Sequence, residues 1–197
     1  GAVWVASAAA GRIYRVDPEQ NHVTLQIRAK MWDSEGSIAI AFGSLWAVVS
    51  FDKPERTLAR FDAQTGKLLA QIALPAGGAG IAAADGAIWV TSPMQGEVFR
   101  VDPATNRVTA TVETGGQPRF IAADANALWI LDQSGAVQRI DTGSAASVAR
   151  IPLGDRFGGG DIAVGGGSVW VSLPGMPVIR IDPVSNQVRA VYGGDAM

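Results

Sequence analysis

The chain has 197 residues, of which 48% are hydrophobic and 17% charged, and its formal net charge is −2. This length is sufficient for one domain with a substantial core, and the lack of any Lys and Arg run argues against a nucleic-acid or acidic membrane surface. Because the sequence contains no cysteine, disulfides, thiol nucleophiles and zinc–thiolate sites are excluded.

A short apolar phrase centred on tryptophan recurs along the chain. Trp4, Trp46, Trp89, Trp129 and Trp170 are separated by 42, 43, 40 and 41 residues, in the phrases GAVWVA, GSLWAV, GAIWVT, NALWIL and GSVWVS. Trp32 lies outside this register. A period of this length is the signature of a repeat architecture, so the chain divides into five units.

The unit that begins near Arg119 shows the predicted elements most clearly. Its strands read RFIAAD, LWIL, AVQRID and SVARIPL, joined by short polar turns. Four such strands predict one antiparallel blade of an all-β propeller. We expect a single domain over 1–197, with units at about 1–29, 30–73, 74–114, 115–153 and 154–193. The first unit begins at its second strand, so 19 strands or 4.75 blades are expected, and a segment of a six- to eight-bladed ring is favoured over a closed five-bladed ring.

The third strand of each unit ends in an Arg-x-Asp pattern, as in FRVDPATN. The arginines of this pattern are Arg15, Arg60, Arg100, Arg139 and Arg180. We expect each to pack over the neighbouring tryptophan or to pair with the aspartate, which is a structural role. The aspartate closes the following turn, and Asn106 or Gly66 suits a left-handed position in it.

Candidate binding residues lie in the loops between second and third strands and in those that link successive units, where propellers commonly bind. They are Trp32, Asp33, Glu35, Asp52, Arg56, Arg119, Asp132, Arg156, Phe157 and Asp161. The aromatic residues would contact a ligand, and the carboxylates would act as polar groups or as ligands of Ca²⁺ or Mg²⁺. The alternative is that they are solvated loop charges and an aromatic cover for a blade end.

The stretch GAIWVTSPMQGEVFRVDPATNRVTATVETGGQP, which begins at Gly86, resembles the YVTN-type β-propeller repeat with Trp in place of Tyr. It is also similar to the blades of streptogramin B lyase (virginiamycin B lyase). The resemblance covers almost the whole chain and implies an exported bacterial protein, periplasmic or secreted. The lyase resemblance implies a catalytic His, a Glu and bound Mg²⁺ on the loop face. His22 lies in DPEQNHVT, which is interpreted as the turn between the third and fourth strands of the first unit, on the opposite face, so we expect that the catalytic His has no counterpart.

Three functional hypotheses follow. The first is an exported, non-catalytic binding or scaffold propeller that presents its loops to a protein, a glycan or a small molecule, with no resident cofactor. The second is a divalent-metal-dependent lyase- or lactonase-like enzyme with Ca²⁺ or Mg²⁺ on carboxylates in the central channel. The third is a purely architectural fragment. We expect no nucleic-acid partner and no membrane span, and we expect a second copy or a partner chain at the open edge of the propeller.

Overall fold

The computed structural model describes residues 1–31, 35–50, 57–75, 77–155, 158–175 and 178–193, and these residues form only β-strands and turns. The first sheet contains β1 (Val3–Ser7), β2 (Arg12–Asp17) and β3 (His22–Arg28). The second sheet contains β4 (Ile38–Ala41), β5 (Ser44–Val49), β6 (Thr57–Asp62) and β7 (Leu68–Ala73). The third sheet contains β8 (Ile81–Ala84), β9 (Ala87–Ser92), β10 (Glu97–Asp102) and β11 (Arg107–Glu113).

The remaining strands form two more sheets of the same kind. The fourth sheet contains β12 (Pro118–Ala123), β13 (Ala127–Asp132), β14 (Ala136–Asp141) and β15 (Ala146–Pro152). The fifth contains β16 (Asp161–Gly165), β17 (Ser168–Ser172), β18 (Val178–Asp182) and β19 (Gln187–Tyr192). Each strand pairs antiparallel with the next in the chain, and the first sheet has three strands while the others have four. The predicted β-propeller of four-stranded antiparallel blades is confirmed. Among the described residues there is no helix of the length and apolarity needed to cross a bilayer.

The core consists of four hydrophobic clusters, each of which joins two sheets that are consecutive in the chain. Trp89 shows the pattern, since it packs against Leu128 and Ile130 of the following sheet. Its neighbours Ile88 and Val90 point the other way, into a cluster with Trp46 of the preceding sheet. Side chains alternate between the two sides of a strand. Every sheet therefore has one side that faces the sheet before it in the chain, here called the preceding side, and one that faces the sheet after it, the following side. The tryptophan always belongs to the following side.

The repeated arginines stack on the repeated tryptophans. The Cζ-to-ring-centroid distances are 4.9 Å for Arg60 over Trp46, 5.9 Å for Arg100 over Trp89, 5.1 Å for Arg139 over Trp129 and 5.6 Å for Arg180 over Trp170. In each case the two residues are direct cross-strand partners in the register of the second and third strands. The packing over tryptophan, rather than an ion pair with the aspartate, is therefore the contact that recurs in these sheets.

Arg60 also joins its own sheet to the next one. Its Nη1 donates to the carbonyl of Pro103 at 2.6 Å and to Asn106 Oδ1 at 3.1 Å. Both acceptors belong to the turn after β10, in which Asn106 adopts a positive φ of 56°. Asn tolerates this left-handed conformation, and here its side chain is also an acceptor for the neighbouring sheet.

Arg139 forms the same connection between the fourth and fifth sheets. Its Nη1 donates to the carbonyl of Pro183 at 3.0 Å and to Asn186 Oδ1 at 3.1 Å. The sequence Asp-Pro-x-x-Asn of the receiving turn is thus one half of an inter-sheet contact, and the arginine is the other half. We call this contact the Arg–turn clamp.

The clamp is missing between the third and fourth sheets. The turn after β14 reads DTGSA and ends in Ala145, which has a positive φ of 52°. Without an Asn in that turn, Arg100 Nη1 donates instead to Thr109 Oγ1 on its own sheet, at 3.1 Å. We expect Ala145→Asn to raise the free energy of unfolding by about 1 kcal/mol, because Asn relieves the backbone strain and offers Arg100 an acceptor. Urea denaturation measures the change.

The two contributions can be separated. Ala145→Gly relieves the backbone without supplying an acceptor, so it should give a smaller gain than Ala145→Asn. In an Arg100→Ala background the two substitutions should become equal. A stability for Ala145→Asn at or below that of the wild type would contradict this account.

Candidate functional site

The loops between second and third strands and the linkers between sheets lie at the same end of the sheets, which we call the loop face. On this face a cavity of about 400 Å³ lies at the loop end of the first sheet, and Ser50 after β5 of the second sheet also lines it. The described residues that line it are Ala10, Gly11, Arg12, Arg28, Ala29, Lys30 and Ser50. They come from the β1–β2 loop, the start of β2, the end of β3, the linker that follows it and the residue after β5.

Three cations converge on this cavity. Arg12 and Arg28 are direct partners in the register of β2 and β3, and Lys30 follows two residues later. Arg12 is oriented by a hydrogen bond from its Nη1 to Gln26 Oε1 at 2.8 Å. The described residues that line the cavity include three cations and no carboxylate, so this described part of the lining is positive in a chain of net negative charge. We call these three residues the cationic cluster.

The wall behind the cationic cluster is held by main-chain hydrogen bonds. Ala29 N donates to the carbonyl of Gly11 at 3.0 Å, which ties the linker to the β1–β2 loop. Ser50 N donates to the carbonyl of Lys30 at 2.7 Å, which ties the same linker to the second sheet. The three cationic side chains therefore project from a backbone that is already ordered, which lowers the entropic cost of binding a ligand.

Most of the residues predicted as ligand contacts lie outside the described residues, namely Trp32, Asp33, Asp52, Arg56, Arg156 and Phe157. The structure places the other four, Glu35, Arg119, Asp132 and Asp161. Glu35 is exposed shortly before β4, and Asp161 is exposed at the start of β16. Asp161 lines a separate cavity of about 140 Å³ beside Trp170. A direct ligand contact by any of the ten stays a prediction.

Asp132, at the end of β13, is fully buried and is the centre of a hydrogen-bond network. Its Oδ1 accepts from the backbone N of Gln117 at 2.7 Å and of Ser134 at 2.9 Å. Its Oδ2 accepts from Gln138 Nε2 at 2.8 Å and from Arg150 Nη1 at 2.7 Å. Burial by itself would raise the pKa of Asp132, but these hydrogen bonds, led by that from Arg150, hold the pKa below its ordinary value.

This network fixes the linker that enters the fourth sheet. Gly116 packs so closely on Asp132 that a Cβ there would overlap both carboxylate oxygens, and its φ of 63° also favours glycine. Thr114 fixes the start of the linker through Oγ1, which donates to the carbonyl of Gly96 at 2.9 Å. In this arrangement Asp132 positions part of the loop face.

Arg119 lies on the inner strand β12, with its guanidinium carbon 5.0 Å from the centre of the Phe120 ring. Its carbonyl accepts a hydrogen bond from Thr91 Oγ1 at 2.9 Å, and the same hydroxyl accepts from Gly80 N at 2.8 Å. The backbone of Arg119 is therefore part of the tight contact between inner strands.

His22 was predicted to lie in a turn, but it is the first residue of β3 and lies far from the loop face. No group of three or more His, Asp or Glu side chains among the described residues is arranged to hold a metal ion. His22 begins β3, whereas the cationic cluster lies at the other end of the same strand. Six steps of about 3.3 Å place this histidine about 20 Å from the loop face.

No protein-family model matches the chain, and no curated protein matches it either. Solved structures, in contrast, do match the chain. The Kuenenia stuttgartiensis hydrazine synthase is similar with a TM-score of 0.67 and 14% identity, over 92% of this chain and 73% of that one. The dihydro-heme d1 dehydrogenase NirN, in complex with DHE, is similar with a TM-score of 0.68 and 14% identity, over 97% of this chain but only 44% of that one. Both are β-propeller proteins, and at this identity the likeness extends to the fold alone.

Proposed function

We propose that this chain is an exported, non-catalytic β-propeller that binds an anionic ligand on its loop face. The ligand is a protein, a glycan or a small molecule that carries carboxylate, sulfate or phosphate groups. The observation that carries the proposal is the cationic cluster, Arg12, Arg28 and Lys30, on an ordered loop-face cavity of about 400 Å³. Two of its members are guanidinium groups, which are suited to bidentate contacts with carboxylate and phosphate oxygens.

Export is part of the proposal and is supported by the resemblance of the repeat to YVTN-type propellers. The binding role is supported by the loop-face architecture, in which hydrogen-bonded linkers such as 114–117 surround the sheet ends. Rigid loops on a β-scaffold are a common setting for recognition.

The test is a binding titration with inorganic phosphate and with sulfate, followed by thermal unfolding and calorimetry. We expect both anions to raise the melting temperature, because binding to the native state stabilises it by mass action. Each exposed cation contributes up to about 1 kcal/mol, so removal of all three by Arg12→Ala, Arg28→Ala and Lys30→Ala should weaken binding roughly 10- to 100-fold.

The matched control is Arg107→Ala, which removes an exposed cation at the start of β11, outside the cavity. It should leave the titration unchanged. KCl at equal ionic strength identifies effects of screening alone. A flat response of the wild type to both anions, or equal losses in the triple variant and in Arg107→Ala, would overturn the proposal. A parallel series with Ca²⁺ and Mg²⁺ tests the lyase-like alternative, which requires one of them to stabilise the chain.

A further inference from the structure

Arg12 and Arg28 are like charges placed directly opposite each other. They are cross-strand partners at the end of the β2–β3 ladder that lies on the loop face. The Cβ atoms of such partners are about 4.5–5.5 Å apart on one side of the sheet, and like charges at this spacing are destabilising. The arginine pair therefore costs stability in the free protein, and an anion bound between the two guanidinium groups removes that cost.

The arginine pair is not a requirement of the repeat. The equivalent register position holds Thr57 opposite Ala73 in the second sheet. In the third sheet it holds Glu97 opposite Glu113, a pair of the opposite sign. The charge at this position is thus set separately in each sheet and not by the fold. The two arginines are therefore a local specialisation of the first sheet for negative charge.

Lys30 and Ser50 add two more hydrogen-bond donors to the same cavity. Lys30 brings the third positive charge, and its carbonyl accepts from Ser50 N at 2.7 Å, so the linker that carries it is held to the second sheet. The hydroxyl of Ser50 is a further donor. The described lining of the cavity thus presents two guanidinium forks, one ammonium and one hydroxyl, and it contains no carboxylate that competes for them.

The number of charges and donors distinguishes between classes of anion. A carboxylate carries one negative charge, as does a phosphate diester, so either of them leaves two of the three cations without a counter-charge. A phosphate monoester carries about −1.5 to −2 at pH 7 and has three strong acceptor oxygens. Guanidinium groups make paired hydrogen bonds to phosphate, and Lys binds phosphate as a point charge. The monoester therefore fits the cationic cluster better in charge and in acceptors.

We propose that the ligand of the cationic cluster is a small molecule that ends in a phosphate monoester. This inference rests on the proposed function and names the ligand class of the same site. In the complex, Arg12 and Arg28 each direct a guanidinium fork at the phosphate oxygens, and Lys30 neutralises the remaining charge. A small molecule is favoured because a cavity of about 400 Å³ has the size of small-molecule sites.

The test compares methyl phosphate with dimethyl phosphate and acetate by calorimetry at pH 7.5 and constant ionic strength. Methyl phosphate is mainly a dianion at this pH, whereas the other two are monoanions. We expect methyl phosphate to bind about tenfold more tightly than either monoanion, because its second charge interacts with exposed cations. Equal affinities for all three would overturn this inference but leave anion binding intact. Failure of all three, and of inorganic phosphate and sulfate, to bind would overturn the proposed function as well.

The pH dependence provides a second readout. The second pKa of a phosphate monoester is about 6, so methyl phosphate becomes a monoanion as the pH falls from 7.5 to 5. The groups that face the ligand are Arg12, Arg28 and Lys30, and Arg and Lys side chains keep their charge over this range. The affinity for methyl phosphate should therefore fall about tenfold, whereas that for sulfate, a dianion at both pH values, should not change. A parallel fall for sulfate would assign the effect to the protein and overturn the inference.

Variants separate charge from geometry. Arg28→Lys keeps the charge but loses the fork, so it should weaken methyl phosphate binding roughly 2- to 10-fold and keep the preference over dimethyl phosphate. Arg28→Gln removes the charge and should remove most of that preference, and a preference that stays tenfold would contradict the inference. The matched control Glu97→Gln changes the charge at the equivalent position of the third sheet and should leave all titrations unchanged. Thermal melts confirm that the variants are folded.

A last comparison tests the size of the ligand. Glucose 6-phosphate and a phosphoserine peptide carry the same phosphate monoester on a small molecule and on a polypeptide. We expect glucose 6-phosphate to bind at least as tightly as the peptide. Tighter binding of the peptide would overturn the assignment to a small molecule.

Discussion

Replacement of Asp132 by alanine should lower the free energy of unfolding by about 3–5 kcal/mol, because it leaves three hydrogen-bond donors of the network without their acceptor. The carboxylate is fully buried, and its removal leaves Gln117 N, Ser134 N and Gln138 Nε2 without their acceptor. A buried donor left unpaired costs about 1–3 kcal/mol. Gln138 Nε2 is such a donor, and the two backbone N–H groups are partly buried. Arg150 is 49% exposed and can turn to water, so the loss comes mainly from these three donors. Urea denaturation at pH 7 measures it.

The pH dependence provides an independent check. Because the folded-state pKa of Asp132 lies below its ordinary value, its charge stabilises the native state above pH about 4 and the benefit is lost as the pH falls through the folded pKa. The difference in stability between the wild type and Asp132→Asn should therefore be largest near neutral pH and shrink on acidification. Asp102→Ala, at a partly exposed turn carboxylate, is the control and should cost less. A difference that does not change with pH would contradict the assignment.

The repeat made much of the fold predictable from sequence. Trp89 and Trp129 occupy the same position in the apolar phrases GAIWVT and NALWIL, and each packs on the following sheet in the same way. The repeated contacts thus follow from repeated residues, and the aspartate that begins each of these turns marks where the third strand ends, followed by Pro-x-x-Asn in the first, third and fifth sheets. The nineteen strands of the described residues and the three-stranded first sheet followed from that pattern.

The candidate site was less predictable, because it depends on register rather than on loops. Arg12 and Arg28 lie at strand ends and become neighbours only when β2 pairs with β3. In the sequence they look like ordinary solvated strand residues. The repeat pattern did contain one signal for the hydrogen-bond network around Asp132. Asp132 occupies a position that is Ser92 in the third unit and Val49 in the second, and such a departure from the repeat marks a local specialisation.

The second large effect is expected from Trp89→Ala, which should cost about 3–5 kcal/mol, as truncation of a fully buried large aromatic does. Trp89 fills the space between the third and fourth sheets, donates from Nε1 to the Ala84 carbonyl at 3.2 Å and supports the guanidinium of Arg100. Its removal leaves a cavity that rigid sheets cannot close. Chemical denaturation of the dilute protein measures the loss.

Trp170→Ala is the matched control, because the same repeat position has no described sheet on its following side. Its Nε1 donates to the Gly165 carbonyl at 3.0 Å and its ring lies 6.0 Å from that of Tyr192, so some packing is lost, but no inter-sheet core is opened. We expect less than half the cost of Trp89→Ala in the monomer. Equal losses for the two variants in dilute solution would contradict an uncovered fifth sheet.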